Sequence, residues 1–428
     1  MTNAIATAKS VPTELFRDTN RSRYSSYQVI CVCGGCGFPL TATAARIINV
    51  GKALQAAGIG FRLLHCGPSP VSLNTQKSGV YQGISFEYTT GLKRPKTLLA
   101  RLPVYARALV GLTWRLCRLR PLRRRTAIYL YSMEGPLVLY TGILCRLLGL
   151  PVVQEMCEWF PSDAARPAFT HWLYRKVIFA QATGTLVISK WLEHRVRERS
   201  VVANPRLLIH LLPSMVDSQR FVDASPETAS VPATVPYFLW CGVGYTEDVL
   251  FLIRVLALVN REGYRCKLRI ISAAFLLWGP QTILDYAAKQ GLPPDAIDLM
   301  GCVDDRTLAM SYKSAAALLL PLWDNDMSRA RMPNKLAEYL ASGRPAITCR
   351  VGDLLDFLFH GVNAYLSKPG DERDFANQMI EILRDPSRAN RIGAAGQKTS
   401  IDRFDYRSQI DTLAKFFGQC IELPRSNA

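Results

Sequence analysis

Two segments of the sequence share one plan, in which an apolar strand ends in glycines and an amphipathic helix follows. In the first half, YQVICVC precedes GGCGF and the helix TATAARIINVGKALQAAG; in the second half, YFLWC precedes GVG and the helix EDVLFLIRVLALVNREG. Continuous apolar strands that alternate with such helices are typical of parallel sheets covered on both faces. The pattern therefore predicts an α/β fold with two Rossmann-like, doubly wound domains.

The chain has 428 residues, which is enough for two such domains. The best candidate for a linker is DSQRFVDASPETASVPATVP, because it is rich in Pro, Ser and Thr and lacks apolar periodicity. We predict a flexible N-terminal tail over 1–26, a first domain over 27–216, a linker over 217–236, a second domain over 237–400, and a helical tail over 401–428 that packs back on the first domain.

The longest apolar runs, PVYARALVGLTWRLC and LVLYTGILCRLLGL, are interrupted by arginine. Neither reaches the roughly 20 apolar residues of a membrane-spanning helix. The N-terminal tail is polar and lacks the apolar core of a secretory signal. Most of the twelve cysteines lie within apolar runs, as free thiols do in a reducing compartment. We therefore expect a cytoplasmic protein without a membrane span.

The net charge of +18 is unevenly distributed, because eleven basic residues and no acidic residue lie between Lys93 and Arg125. Leucines and Trp114 are interleaved with them, and this mixture favours an anionic membrane surface as a partner. A solvated helix with an ordinary buried face is the alternative. A nucleic-acid patch is also conceivable, but no nucleic-acid-binding module is recognisable, so we expect no nucleic acid. The side chains expected at the membrane surface are Arg118, Arg120, Arg123, Arg124 and Arg125.

The glycine turns after the two first strands place backbone N–H groups at helix N-termini, where phosphates bind well. Neither turn completes GxGxxG, so a dinucleotide fingerprint is absent. The acid–x–acid pattern of Trp323–Asp326 can hold a divalent metal, but it is short and common in loops, and no metal site is predicted. The glycines assigned to phosphate binding are Gly34, Gly35, Gly37, Gly242 and Gly244.

The stretch RARMPNKLAEYLASGRP, residues 329–345, predicts a short helix with Pro333 in its first turn and Gly343 at its end. Leu336 and Leu340 share the face expected in the core, whereas Lys335 and Glu338 share another face. The preceding strand, AALLLPLW, ends in the crevice where open α/β sheets bind ligands. We therefore expect the two charged side chains to project into a cleft, although a simple surface ion pair is the alternative.

PNKLAEYLASGRPAI resembles the donor-site helix of the GT4-type, group 1 glycosyltransferases of GT-B fold, and GTLVISKWLEHRV and LLPSMVDSQRF are similar to further segments of that family. The resemblance implies two Rossmann-like domains that face each other across a cleft, with the acceptor on the N-terminal side and the nucleotide sugar on the C-terminal side. It implies hexosyl transfer from a nucleotide-diphosphate sugar, a co-substrate rather than a cofactor, to a glycan or lipid-linked acceptor in polysaccharide or glycoconjugate biosynthesis. It also implies retention at the anomeric carbon and independence of metal.

The resemblance assigns roles to individual residues. Glu338 matches the second glutamate of the family's E-x7-E motif and would bind the nucleotide ribose, and Lys335 would lie near the diphosphate. Asn334 and Tyr339, on the same helix, are assigned to the donor site. The turn at 34–37 would face the donor phosphates from across the cleft.

Two departures from the family pattern affect this assignment. The first glutamate of E-x7-E falls on Ala330, and the usual arginine and lysine after the second glycine turn are replaced by residues 245–248, YTED. Arg329 and Arg331 would supply the missing positive charge, since the arginine fork suits phosphate. The alternatives are a catalytically inactive relative that serves as a binding subunit of a polysaccharide-assembly complex, and a GT-B-like nucleotide-sugar epimerase.

If the protein is a transferase, positive groups that stabilise the leaving diphosphate supply most of the catalysis. Lys335, Arg331 and Arg329 are assigned this role, and Glu338 orients the nucleotide. On the acceptor side, the acids that follow strands are Glu134, Glu155 and Glu158, each of which would bind an acceptor hydroxyl or act as a base, unless it is an ordinary loop acid. The basic stretch would hold the enzyme peripherally on the cytoplasmic membrane face.

Overall fold

The computed structural model describes residues 23–35, 38, 42–69, 76–132, 134–159, 178–223, 235–242, 246–272 and 279–423. The strands within these ranges are β1 (Gln28–Cys33), β2 (Gly60–His65), β3 (Ser78–Tyr81), β4 (Ile84–Tyr88), β5 (Thr126–Tyr131), β6 (Val152–Met156), β7 (Gly184–Val187), β8 (Leu208–Leu211), β9 (Tyr237–Cys241), β10 (Lys267–Ile271), β11 (Ile297–Met300), β12 (Ala317–Leu320), β13 (Ala346–Cys349) and β14 (Tyr365–Ser367).

The helices in the described part of the chain are α1 (Ala42–Ala56), α2 (Leu98–Cys117), α3 (Gly135–Leu148), α4 (Ile178–Gln181), α5 (Lys190–Ala203), α6 (Gln219–Asp223), α7 (Thr246–Arg261), α8 (Pro280–Lys289), α9 (Asp305–Ser314), α10 (Asp326–Ala330), α11 (Asn334–Ala341), α12 (Glu372–Arg384), α13 (Pro386–Arg403) and α14 (Ile410–Glu422). Short 3₁₀ turns lie at Arg120–Leu122, Gly352–Asp356 and Tyr406–Gln409.

The N-terminal domain has an eight-stranded sheet in the order β3-β4-β2-β1-β5-β6-β7-β8. All neighbouring strands are parallel except β3 and β4, which form an antiparallel hairpin. The strand order reverses between β1 and β5, and Cys33 is in register with Tyr131. The loops that follow these two strands therefore meet at the carboxyl edge of the sheet, at a switch point where α/β folds bind ligands.

The C-terminal domain has a six-stranded, fully parallel sheet in the order β11-β10-β9-β12-β13-β14. Its strand order reverses between β9 and β12, and the loop after β12 leads through α10 into α11. The buried residues of both central strands are apolar because helices cover both faces of the sheet. Two doubly wound α/β domains, as expected from the sequence, make up the molecule.

Within the described ranges, two segments lie where the chain passes between the domains, and they pair with each other. The backbone N–H of Val216 donates to Phe404 O at 2.8 Å, and the N–H of Tyr406 donates to Val216 O at 3.0 Å. Beyond this junction, α14 packs against α1 and against β5 and β6. Its side chains Leu413, Phe416, Phe417 and Cys420 recur at helical spacing and are buried in the N-terminal core. The last described helix is therefore part of the N-terminal domain.

Helix α11 ends where the sequence predicts, but Pro333 caps it with an extended backbone instead of lying in its first turn. It follows Pro333 and ends before Gly343, whose φ of 77° is the left-handed conformation that favours glycine after a helix. Leu336 and Leu340 are fully buried, as the helical wheel indicates. The apolar face thus fixes the direction in which the charged face of α11 points.

Candidate functional site

Lys335 and Glu338 form an ion pair on the first turns of α11, with Lys335 Nζ 2.9 Å from Glu338 Oε2. Tyr312, on α9, lies beside them: Lys335 Nζ donates to Tyr312 Oη at 3.2 Å, and Tyr312 Oη donates to Glu338 Oε2 at 3.4 Å. The side chains of Lys335 and Glu338 are only 22% and 10% exposed. The pair is therefore part of a half-enclosed polar cluster and not an ordinary surface ion pair.

Arg220 adds a second cation to this cluster, which we call the α11 cluster: Lys335, Glu338, Tyr312 and Arg220. Arg220 Nη1 lies 3.8 Å from Glu338 Oε1, and Arg220 Nη2 lies 3.1 Å from Asp305 Oδ1. Gln82 of the N-terminal domain donates to the other oxygen of Asp305 at 3.0 Å. The α11 cluster thus lies where the two domains meet.

The charges of the α11 cluster stabilise one another. Burial favours the neutral form of Glu338, but the charges of Lys335 and Arg220 outweigh it and lower the pKa of this carboxyl below its ordinary value. Burial also disfavours the Lys335 ammonium, but Cys241 and Glu338 reverse the effect and raise its pKa. Both groups are therefore ionised at neutral pH.

Tyr339 was expected to contact the donor, but the structure contradicts this prediction. Its side chain is fully buried, and its Oη accepts a hydrogen bond from the backbone N–H of Cys241 at 2.9 Å. Cys241 is the last residue of β9, so Tyr339 fixes α11 to the carboxyl end of the central strand. Its side chain therefore faces the core at the end of β9 and not an open cleft. Asn334, the first residue of α11, is half-buried.

The segment 330–333, from the last residue of α10 to the start of α11, touches the carboxyl edge of the N-terminal sheet. Ser189 Oγ, after β7, donates to Ala330 O at 2.7 Å, and Ser214 Oγ, after β8, donates to Met332 O at 2.5 Å. These two hydroxyl contacts hold the backbone on either side of Arg331. The backbone of Arg331 is therefore held where the two domains touch.

Arg329 and Arg331 both have acidic neighbours. Arg329 Nη2 lies 2.8 Å from Asp324 Oδ1, and its side chain is 45% exposed. Arg331 is half-buried and lies close enough to Asp248 for its charge to act on that carboxyl. Asp324 of the acid–x–acid pattern is therefore engaged by an arginine.

Asp248 is a buried acid in the first turn of α7, with 6% of its surface exposed. Trp323 Nε1 donates to its Oδ1 at 3.2 Å. Burial raises the pKa of Asp248 to about 6, although the Trp323 hydrogen bond and the charge of Arg331 act in the opposite direction. An acid thus stands just after the second glycine turn, where the family resemblance implies basic residues, and its basic neighbour comes from the loop before α11.

The first glycine turn and Glu134 come together at the switch point between β1 and β5. Gly35 has a φ of 67°, and a Cβ added there would lie 2.8 Å from Glu134 Oε1. A Cβ on Gly34 would lie 2.4 Å from Leu137 Cδ2 and 3.1 Å from Glu134 Oε2. Glu134 is exposed and precedes the first turn of α3. The structure therefore places this carboxylate directly over the turn, and both glycines are needed for its close approach.

Gly242, in the second turn, donates its N–H to Ile271 O at 3.2 Å. A Cβ there would lie 2.6 Å from the indole ring of Trp240, so the position requires glycine for packing. Gly37 and Gly244 lie outside the described residues.

Glu155 was expected on the acceptor side, but the structure contradicts this prediction. It is 3% exposed inside the N-terminal domain, where Arg46 Nε donates to its Oε1 at 2.9 Å and Tyr129 Oη donates to its Oε2 at 2.5 Å. Arg46 is itself fully buried and also donates to the carbonyls of Leu212 and Pro213. Both carboxylate oxygens are thus occupied in the core, and Glu155 is structural. Glu158, just past β6, is half-buried.

The basic stretch forms α2 and the 3₁₀ turn after it. Helix α2 buries Ala108, Leu112 and Leu116, whereas Leu99, Leu102, Val110 and Trp114 of its outer face are between 52% and 81% exposed. The guanidinium of Arg118 lies 3.4 Å from the centroid of the Trp114 ring. The arginines predicted at a membrane surface, Arg118, Arg120 and Arg123–Arg125, are all exposed. No helix in the described ranges combines the length and apolarity needed to cross a bilayer.

Comparison with known proteins shows which family the C-terminal domain resembles. Residues 235–385, which include β9–β14 and the whole of α11, match the family model described as glycosyl transferases group 1. The chain is 24% identical over 238 residues to D-inositol 3-phosphate glycosyltransferase from Thermobispora bispora, a match that covers 54% of this chain and 53% of that protein. It is 28% identical over 117 residues to N-acetyl-alpha-D-glucosaminyl L-malate synthase from Bacillus anthracis, covering 26% of this chain and 31% of that protein. The match thus spans about half the length of the first relative and less of the second.

Solved structures agree over nearly the whole chain. Sucrose-phosphate synthase from Thermosynechococcus elongatus superposes with a TM-score of 0.68 at 18% identity, covering 92% of this chain and 98% of that one. The Anabaena protein HepE, solved in complex with UDP-glucose, superposes with a TM-score of 0.67 at 15% identity, covering 91% and 99%. At such identities the likeness establishes the fold, which is GT-B. In sequence, the likeness to the group 1 glycosyltransferases is carried by residues 235–385.

Proposed function

We propose that this protein transfers a hexosyl group from a nucleotide-diphosphate sugar to a glycan or lipid-linked acceptor. The observation that carries the proposal is the α11 cluster, a half-enclosed group of ionised side chains at the domain junction and the carboxyl end of β9. Charged groups held in such a site stabilise the charge of a leaving diphosphate without reorganising. The HepE structure contains UDP-glucose, which makes a nucleotide sugar of this kind the first donor to test.

Within this proposal, Lys335 and Arg331 stabilise the leaving diphosphate, and Arg329 assists from the edge. The carboxylate of Glu338 orients the nucleotide. Because Glu338 is held by Lys335 and Arg220, it can accept a hydrogen bond from a ribose hydroxyl without first losing a proton. Asp248 offsets part of the charge of Arg331, and Asp324 offsets part of the charge of Arg329. The two arginines therefore contribute less positive charge to the site than their number indicates.

On the acceptor side, we assign Glu134 to bind or deprotonate a hydroxyl, because its carboxylate is exposed over the first glycine turn whereas that of Glu155 is buried. We propose that the transfer retains the anomeric configuration and needs no bound metal, as the family resemblance implies. ¹H NMR of the first-formed product tests retention, since an inverted anomeric coupling constant would contradict it. Full activity in EDTA is expected, and loss of activity that Mg²⁺ restores would contradict metal independence.

We further propose that the exposed apolar and basic face of α2 holds the enzyme on the cytoplasmic surface of an anionic membrane, where a lipid-linked acceptor would be met. Exposed leucines beside arginines are typical of segments that lie on such surfaces. Binding to vesicles that contain phosphatidylglycerol should weaken as salt is raised. Equal binding to neutral vesicles and no salt dependence would contradict this part of the proposal.

Incubation with a panel of nucleotide sugars, with nucleotide release and thermal stabilisation as readouts, tests donor use. Glu338→Ala is expected to abolish the stabilisation. Asp402→Ala is a matched control, because Asp402 forms a surface ion pair with Lys398 at 2.6 Å on another helix. Absence of binding to any donor would favour an inactive binding subunit, and isomerised sugar without transfer would favour an epimerase.

A further inference from the structure

We propose that a basic cavity in the N-terminal domain binds a phosphate or diphosphate group of the acceptor; this inference rests on the sugar transfer proposed above. The cavity has a volume of about 420 Å³ and lies between the loop after β4 and helix α2. Three basic side chains line it, Lys77, Lys93 and Arg107, together with Thr89 and Thr90. Hydroxyl and cationic donors in this combination suit phosphate oxygens.

Acidic side chains do not offset the charge of this cavity. None of its eight described lining residues is acidic. Glu87, which lies two residues before Thr89, is bound by Arg115, whose Nε donates to Glu87 Oε2 at 3.2 Å. The hydrogen bond from Arg115 lowers the pKa of Glu87, and Lys77 adds to the effect. Arg115 thus neutralises Glu87, the acidic residue closest in sequence to Thr89. The basic side chains of the cavity keep a net positive charge that can bind a dianion.

The cavity lies on the same edge of the sheet as the first glycine turn. Thr89 follows the end of β4, and its N–H donates to His65 O, at the end of β2, at 2.9 Å. The N–H of Gly67 donates to Thr89 Oγ1 at 3.4 Å, which ties the loops after β2 and β4 together. Since β4 is two strands from β1, the cavity is about 10 Å to the side of the glycine turn. One acceptor can therefore have its phosphate in the cavity and a sugar hydroxyl near Glu134.

Helix α2 connects this cavity to the outer surface. It supplies Val104 and Arg107 to the lining, while Leu102 and Val110 are 67% and 70% exposed on the same helix. A lipid attached to the bound phosphate would have an apolar surface beside it. A lipid-linked diphosphate and a soluble sugar phosphate present the same anionic chemistry to the cavity, and the experiment has to separate them.

The test uses the full chain and the double variant Lys93→Gln/Arg107→Gln. The matched control, Lys289→Gln/Arg391→Gln, removes the same charge from exposed positions of the C-terminal domain, outside the cavity. The probes are inorganic pyrophosphate and glucose 1-phosphate, both by calorimetry, and phosphatidylcholine vesicles that contain either a polyprenyl diphosphate or phosphatidylglycerol. A Lys335→Gln variant identifies any pyrophosphate that binds at the donor site instead.

The cavity variant should lose roughly tenfold to a hundredfold in affinity for pyrophosphate, while the control keeps the affinity of the unmodified protein. A loss specific to diphosphate-lipid vesicles, with phosphatidylglycerol binding unchanged, would identify a lipid-linked source. A loss confined to pyrophosphate and glucose 1-phosphate would identify a soluble one. Equal losses of pyrophosphate affinity in both double variants, or no such loss in the cavity variant, would overturn the proposal.

Nucleotide release from the donor, measured on the same variants, separates the two proposals. If the cavity variant loses pyrophosphate binding but no nucleotide sugar is turned over by the unmodified protein, the anion site stands and the sugar transfer fails. If the donor is turned over and the cavity variant has an unchanged KM for a phosphorylated acceptor, the anion site fails and the transferase stands.

Discussion

Asp248 gives the sharpest test of the electrostatics at the domain junction, because its carboxyl is buried and its pKa is raised. Asp248→Asn replaces it with a neutral group of the same shape whose Oδ1 can still accept the hydrogen bond from Trp323. Burial raises the pKa of Asp248 from 3.8 to about 6, so the folded state favours the protonated form. The stability that this protonation contributes is complete below pH 3.8, declines above it, and is lost once the pH has passed about 6.

The size of the effect follows from the shift. A difference of about two pKa units corresponds to about 3 kcal/mol between the two protonation states. Above pH 7, the folded protein carries an ionised Asp248. The cost of about 3 kcal/mol is what remains after the charge of Arg331 has compensated part of the burial. The asparagine variant avoids it, so it should be more stable than the unmodified protein by up to about 3 kcal/mol at pH 8 and should lose this advantage near pH 4.

The assay is urea unfolding of both proteins between pH 4 and pH 8, with the free energy of unfolding compared at each pH. Asp402→Asn serves as a control, since this exposed carboxyl lies on the surface of α13. The same dependence on pH in the asparagine variant as in the unmodified protein would refute the reasoning. So would a variant that is less stable at pH 8, because it would mean that the ionised carboxylate is the form that the fold favours.

Two further predictions follow from buried contacts. Arg46→Met should lower the free energy of unfolding by roughly 3–5 kcal/mol, because it leaves the Glu155 carboxylate buried without its partner. Urea unfolding measures this loss, and the Arg46→Met/Glu155→Leu double variant is expected to recover the stability. A loss below about 1 kcal/mol in the single variant would contradict the assignment of Glu155 to a buried ion pair. Tyr339→Phe should lower the free energy of unfolding by roughly 1–3 kcal/mol, because the N–H of Cys241 loses its acceptor. It should also raise the KM for the donor, because α11 is displaced. An unchanged KM with lowered stability would limit Tyr339 to a role in folding.

Local sequence was sufficient for the architecture and for the orientation of α11. Apolar strands that alternate with amphipathic helices indicated two parallel sheets, because such strands must be covered on both faces. Pro333 and Gly343 marked the helix, and the spacing of Leu336 and Leu340 fixed its buried face. Lys335 and Glu338 then had to share the other face, since side chains three positions apart in a helix are neighbours.

The partners of those residues come from distant parts of the sequence, and no local pattern identifies them. Arg220 lies in the stretch expected to be a linker, yet it reaches Glu338. Tyr312 belongs to a different helix, and its ring stacks on Phe221. In the sequence, Arg220 and Phe221 are only a basic residue beside an apolar one within a polar segment. Such pairs are too common to indicate a functional role.

The acids that follow strands show most clearly what the sequence alone determines and what the tertiary structure decides. The sequence places Glu134 and Glu155 at or near the ends of parallel strands, and the two positions are equivalent by that criterion. Only the fold brings Arg46, 109 positions away along the chain, against Glu155 in the core, while it leaves Glu134 exposed over the first glycine turn. Periodicity determines which elements form and which face of each is buried; the ionic partners of a side chain depend on which elements pack together, and that is set by the tertiary structure.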